Sequence, residues 1–203
     1  MRDSRASLLA SALRLSYITI ALNGVTGAAA LTLAVLSGSL ALAGFALSAL
    51  LDTSASVVLV WRFRREQNDP AAAEHLERRA QAFIAVAMLV VSIYIGFKAV
   101  RALTDTSHVD EPLVGVALAA LALIVLPWLG RRKLEVAAAL ESRALRGDAV
   151  LTMAAAALAA VTLVALVLAS VAGWWWADPL AALVIAIALA VEATRIAIHH
   201  RFG

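Results

Sequence analysis

The chain has 203 residues, of which 63% are hydrophobic and 15% charged, with a formal net charge of +3 and no cysteine. Soluble domains are roughly 45–50% apolar, so this composition predicts a membrane protein and argues against a nucleic-acid-binding surface despite the positive charge. The lack of cysteine excludes disulfides, thiolate metal sites and cysteine nucleophiles.

Six apolar stretches, each near the ~20 residues that a bilayer core requires, predict an all-α polytopic membrane protein with six transmembrane helices in one domain. The polar, arginine-bearing N-terminus is not typical of a signal peptide. The segment after the fourth span is expected to form a basic helix at the membrane surface. The predicted spans cover about residues 13–36, 39–62, 81–103, 113–130, 148–172 and 178–198.

The basic side chains predict the orientation in the membrane. Lys and Arg cluster in the N-terminal tail, after the second and fourth spans and at the C-terminal end, whereas the alternate connections contain none. The positive-inside rule then places both termini in the cytoplasm, and we expect the plasma membrane. The run Arg131, Arg132 and Lys133 is interpreted as a topology signal that meets anionic lipid head groups. On the other side, Asp178-Pro179 is expected to cap the last helix.

Asp52 lies near the middle of the second span. An ionisable group at that depth costs roughly 2.5–3.5 kcal/mol on insertion scales, so it is a functional hypothesis by default. Ser48 shares its helical face one turn earlier, and Asp148 and Thr152 stand four apart at the start of the fifth span. Two alternatives remain open. Asp52 could bond to Asn23 or Ser48 and only hold helices together, and Asp148 could serve its own helix terminus.

A metal site of Asp52, Ser48, Asp148 and Thr152 would contain oxygen ligands only. Such a set suits hard ions such as Mg²⁺, Mn²⁺ or Ca²⁺ better than Zn²⁺, which prefers a tetrahedron of nitrogen, sulfur or carboxylate ligands. A protonatable Asp52 alone could instead serve a proton relay.

Spans two, five and six resemble the cation diffusion facilitator (cation efflux) family of divalent-metal transporters. The stretches that carry the resemblance are SGSLALAGFALSALLDTSASVVLVWRFRR, ESRALRGDAVLTM and GWWWADPLAALVIAIALAVEA. The resemblance implies a six-helix cation-efflux-like transmembrane domain, in a short form without the C-terminal cytoplasmic domain. It also implies dimers that exchange metal for protons.

The same resemblance implies a tetrahedral metal site from two ligand pairs, one on span two and one on span five. The span-two pair falls on Ser48 and Asp52, and the span-five pair falls on Leu151 and Ala155. Asp148 matches an aspartate that neighbours the family's site. Leu151 and Ala155 have no atoms that bind a metal, so the implied site is reduced.

Three functional readings follow. The first is a divalent cation transporter, by cation/proton exchange, whose substrate is zinc, manganese, magnesium or cobalt. The second is a non-transporting membrane scaffold or accessory subunit that retains the fold. The third is a transporter of something other than metal, with Asp52 as proton carrier. The expected partners are the lipid bilayer and a second copy in a homodimer, or a partner membrane protein that completes the site.

Four histidines offer further ligands outside the spans. His75 lies among glutamates, His108 lies in an acidic loop, and His199 and His200 lie near the C-terminus. Solvated polar positions at helix ends and loops are the simpler interpretation. No nucleophile elbow, P-loop, HExxH pattern or dinucleotide loop occurs in the sequence, so we predict that the protein is not an enzyme.

Overall fold

A computed structural model describes residues 2–65, 70–105 and 113–202, and these form six α-helices. Each helix is long and apolar enough to cross a membrane. The predicted fold class, an all-α integral membrane protein with six spans, is therefore confirmed. The helices are α1 (Arg2–Ser37), α2 (Leu40–Arg65), α3 (Pro70–Asp105), α4 (Leu113–Leu140), α5 (Arg143–Ala172) and α6 (Ala177–Phe202).

Helix α4 is longer than the sequence prediction. It does not end at Gly130 but continues through the basic run to Leu140, and the apolar stripe Leu126, Leu129 and Ala137 stays buried along it. Lys133 lies on that stripe and is completely buried. The expectation that Lys133 meets lipid head groups is therefore wrong, because its side chain points into the helix bundle.

The helices pack most extensively in three pairs, α1 with α2, α4 with α5, and α3 with α6. Helix α2 also contacts α3, α5 and α6, so it lies at the centre of the bundle. The core is rich in alanine, and its large members are Leu42, Phe45, Leu126 and Leu166. Small residues let helix backbones approach, and Gly44 of α2 faces Ile185 of α6 at such a crossing.

Asp178 joins two helices at the end of the bundle where α2 begins. Its carboxylate accepts hydrogen bonds from the Ser39 hydroxyl at 2.5 Å and from the backbone N–H groups of Leu40 at 2.9 Å and Ala41 at 3.1 Å. Asp178 thus caps α2 rather than α6, in whose first turn it lies. The expectation that it caps the last helix is corrected accordingly. The first N–H groups of a helix have no partner within it, and here a distant carboxylate supplies one.

Candidate functional site in the bundle core

Asp52 is buried in the centre of the bundle, with 3% of its surface exposed. Taking a rise of 1.5 Å per residue, it lies about 18 Å along α2 from Leu40. The side-chain amide of Asn23 on α1 donates to Oδ2 at 2.7 Å, and the Thr152 hydroxyl on α5 lies 3.3 Å from Oδ1. Both oxygens therefore have neutral donors. The hydrogen bond between Asp52 and Asn23, one of the alternatives in the sequence analysis, is therefore present in the structure.

Asp148 and Lys133 form a buried ion pair next to Asp52. Nζ of Lys133 lies 2.6 Å from Oδ2 of Asp148, and the two side chains are 0% and 3% exposed. Oδ2 has no hydrogen bond beyond this pairing, whereas Oδ1 accepts one from the Ser56 hydroxyl at 2.7 Å. The N-cap of α5 is Ser142, so Asp148 does not serve as the cap of its helix.

Two hydroxyl groups link the ion pair to α2 and α5. The ammonium of Lys133 donates to Ser56 at 3.3 Å and to Thr152 at 3.0 Å. The Thr152 hydroxyl has one hydrogen, which it directs to Oδ1 of Asp52 or to the backbone oxygen of Asp148 at 3.0 Å. One hydroxyl therefore stands between the ammonium and Asp52. We call the connected group the polar cluster; its members are Asn23, Asp52, Ser56, Lys133, Asp148 and Thr152.

The helical period explains why these side chains meet. Ser56 follows Asp52 by four residues on α2, and Thr152 follows Asp148 by four on α5, so each pair shares one face. With every ionisable group charged, the two carboxylates and one ammonium of the polar cluster carry a formal charge of −1. Buried charges are stable only when paired and hydrogen-bonded, which Asp148 and Lys133 are. Asp52 has hydrogen bonds from Asn23 and Thr152, but among the described side chains no ammonium is in direct contact with it.

A cavity of about 240 Å³ lies between α2, α3, α5 and α6, and Asp52 is part of its wall. The wall is mostly apolar. Glu192 and Arg195, which form an ion pair at 3.4 Å, lie at its other end. The Arg195 side chain is 67% exposed, so the same cavity is lined by a surface residue and by the buried Asp52.

The structure brings together three of the four predicted site residues. Asp52, Asp148 and Thr152 belong to the polar cluster. Ser48 lines the cavity next to Asp52, but its hydroxyl donates to the backbone oxygen of Phe45 at 3.1 Å. Within the described residues, no group of three or more His, Cys, Asp or Glu side chains lies close enough to hold a metal ion.

The two apolar positions at which the resemblance implied span-five ligands also face the cavity. Leu151 and Ala155 line it together with Ser48 and Asp52. All four positions therefore converge on one space, although only Asp52 carries a strong ligand there.

Sequence reasoning missed Lys133 and Ser56. The spacing of Lys133 from Leu126, Leu129 and Ala137 places it on the apolar face of α4, since positions three, four and seven apart share a helical face. Because Lys133 directly follows two arginines, it was interpreted with them as part of a basic run. Ser56 completes a spacing of four, after Ser48 and Asp52, along the same face of α2.

The histidine hypotheses lie outside the described residues. His108 falls in the undescribed segment 106–112, and the side chains of His75, His199 and His200 are also undescribed.

Comparison with known proteins gives one family. A profile of the Cation efflux transmembrane domain matches residues 16–200, which include α2 to α5, most of α1 and α6, and every member of the polar cluster. Comparison with curated proteins finds no significant match. Because the matched segment spans most of the sequence, the chain belongs to the cation efflux family of membrane cation transporters.

Proposed function

We propose that the protein transports a metal cation across the membrane, with Asp52 as the carboxylate that binds it. The observation that carries this proposal is that Asp52 belongs both to the buried polar cluster and to the wall of the cavity. A carboxylate has about four acceptor positions. At most two of those on Asp52 are used, by Asn23 and Thr152, so oxygen lone pairs remain for a cation that arrives through the cavity.

The same carboxylate supports exchange with a proton. A cation and a proton compete for Asp52, because each neutralises the same negative charge. If the bundle alternates between opening the cavity to one side and to the other, each side can load Asp52 with a different ion. Cation/proton exchange then follows from one acid, as in other membrane proteins whose intramembrane acids relay protons.

Substitution of Asp52 by Asn tests this proposal. Purified protein in liposomes with an imposed proton gradient should accumulate a metal cation, and Asp52→Asn should abolish that accumulation while the protein remains folded. Glu135→Gln is the matched control, because it makes the same carboxylate-to-amide change on an exposed side chain of α4. If wild type and Asp52→Asn accumulate no tested metal ion, monovalent or divalent, transport is rejected.

A second candidate is a non-transporting scaffold that keeps the fold. The Lys133–Asp148 pair favours it, since a satisfied ion pair holds α4 and α5 together without any substrate. Under this proposal, Asp52→Asn would change thermal stability and the recovery of the folded protein but no ion flux.

Reporter domains fused to either terminus would test the proposed orientation, in which both termini are cytoplasmic.

A further inference from the structure

We infer that Lys133 sets the charge class of the substrate, and that the site takes a singly charged cation such as Na⁺ or K⁺ in preference to a divalent one. This inference rests on the proposed function and names the substrate of the same site. It departs from the divalent substrates that the sequence resemblance implied.

The ammonium of Lys133 already serves as a cation within the site. It donates hydrogen bonds to Oγ of Ser56 and Oγ1 of Thr152, and Oδ2 of Asp148 lies 2.6 Å from Nζ as its ion-pair partner. Three oxygens of the polar cluster therefore surround this ammonium. With the side chain 0% exposed, the positive charge is held in place.

The remaining negative charge equals one unit. Lys133 compensates Asp148, and Arg195 compensates Glu192 elsewhere on the cavity wall, so among the described residues of that wall Asp52 is the carboxylate without an ion-pair partner. A monovalent cation at Asp52 brings the site to neutrality, whereas a divalent cation leaves one positive charge beside a mostly apolar cavity wall. Burying an unpaired charge is costly, and the nearby ammonium repels a divalent ion twice as strongly as a monovalent one.

The ligands near Asp52 are compatible with this substrate. The carboxylate oxygens and the Ser48 hydroxyl on the same cavity wall are hard oxygen atoms. Zinc and other transition metals favour nitrogen and sulfur ligands, and on the described cavity wall the thioether of Met88 is the one such group, because the guanidinium of Arg195 has no free lone pair.

A set of variants that changes the formal charge of the polar cluster tests the inference. Lys133→Arg keeps the charge at −1, and the double variant Lys133→Gln with Asp148→Asn also keeps it at −1. Lys133→Gln alone makes it −2, and Asp148→Asn alone makes it zero. Each protein is reconstituted in liposomes, and uptake of radiolabelled Na⁺ is compared with uptake of Mn²⁺ measured by an internal fluorescent indicator.

The expected result follows the charge rather than the identity of the side chain. Wild type, Lys133→Arg and the double variant should share a preference for Na⁺. Lys133→Gln should raise the ratio of Mn²⁺ uptake to Na⁺ uptake by about 100-fold. Coulomb's law gives a change of this order when one positive charge is removed from the immediate neighbourhood of Asp52, at an effective dielectric constant of about 20. Asp148→Asn should weaken transport of both ions.

The other outcomes separate the two claims. If wild type prefers Mn²⁺, or if Lys133→Gln transports with an unchanged ratio, the inference is overturned while the transport proposal stands. If Lys133→Gln does not fold, the double variant Lys133→Gln with Asp148→Asn decides. A Mn²⁺:Na⁺ uptake ratio that differs from that of the wild type overturns the inference, and the same ratio supports it. If wild type moves neither ion and Asp52→Asn has no effect on flux, the proposed function fails and the inference fails with it.

Discussion

The ammonium of Lys133 and the carboxylate of Asp148 meet at 2.6 Å in the interior of the bundle, although the two residues lie on different helices and neither side chain is more than 3% exposed. Helices α4 and α5 are thus joined by a charge pair as well as by apolar packing. Removing one partner of such a pair leaves the other charge buried without compensation, which is far more costly than removing both.

Lys133→Met should therefore destabilise the protein by about 3–5 kcal/mol, because Asp148 loses its cation. Adding Asp148→Asn should recover much of that loss, since the amide oxygen can still accept from Ser56. Thermal unfolding in one detergent checks both variants. Arg132→Met is the control, because its exposed pair with Glu135 contributes only about 0–1 kcal/mol. If the double variant is less stable than the single variant, the two side chains are not coupled as the structure indicates.

Asp178→Asn should lower stability by about 1–3 kcal/mol, and Asp178→Ala should lower it further. The amide can accept at the Oδ1 position but turns an N–H group toward the backbone N–H of Leu40, while alanine leaves all three donors without their acceptor. Thermal unfolding measures this order. Ser170→Ala is a matched control, because that exposed hydroxyl bonds only within its own helix. Equal stability of all three variants and wild type would contradict the capping role.

Gly44→Ala should destabilise the bundle by about 1–3 kcal/mol, because the new methyl group would lie 2.9 Å from Cγ2 of the β-branched Ile185. Gly24→Ala provides the opposite case. Its Cβ would meet nothing within 4 Å, and alanine favours a helix by roughly 0.5–1 kcal/mol over glycine. Opposite shifts of the melting temperature are expected. If both substitutions raised the melting temperature equally, helix propensity, and not the α2–α6 contact, would decide the effect.

Much of the fold could be predicted because its signals are local. Runs of about 20 apolar residues specify the six helices. The pairing of Asp52 with Asn23 could be anticipated because both side chains lie within predicted spans and each needs a hydrogen-bonding partner there. The Lys133–Asp148 pair could not, since it depends on the rotation of α4 about its axis and on how far that helix continues past Gly130. The Asp178 cap likewise depends on the tertiary contact that brings the start of α6 to the start of α2.

The cavity can be probed with single cysteines, since the natural chain has none. Ala154→Cys and Ala188→Cys lie on the cavity wall and should react with a water-soluble maleimide about tenfold faster than Ala159→Cys, which is buried away from it. A thiol reacts as the thiolate, which requires water. Labelling should come from the side on which Arg195 is exposed. Equal labelling rates at all three positions would mean that water does not reach Asp52 through this space.

Ligand atoms can be restored at the positions that converge on the cavity. The triple variant Ser48→Asp, Leu151→His and Ala155→Asp would give Asp52 three further zinc ligands, one on α2 and two on α5, and four such ligands satisfy a tetrahedral zinc ion. Its affinity for Zn²⁺ should exceed that of wild type by more than about 100-fold. Loss of one residue that hydrogen-bonds to a metal ligand typically costs about 10–100-fold in affinity, and here three ligands themselves are gained. Isothermal titration with Zn²⁺ in detergent measures this gain.

Two controls make the zinc result specific. Adding Asp52→Asn to the triple variant should remove most of the gain, because the remaining side chains provide only three ligands. Moving the histidine from Leu151 to Val150, which is exposed and does not line the cavity, should give no gain beyond that of the other two substitutions. If the triple variant binds Zn²⁺ no better than wild type while remaining folded, the four positions do not converge closely enough for one ion, and the reduced site could not have arisen simply by loss of ligands.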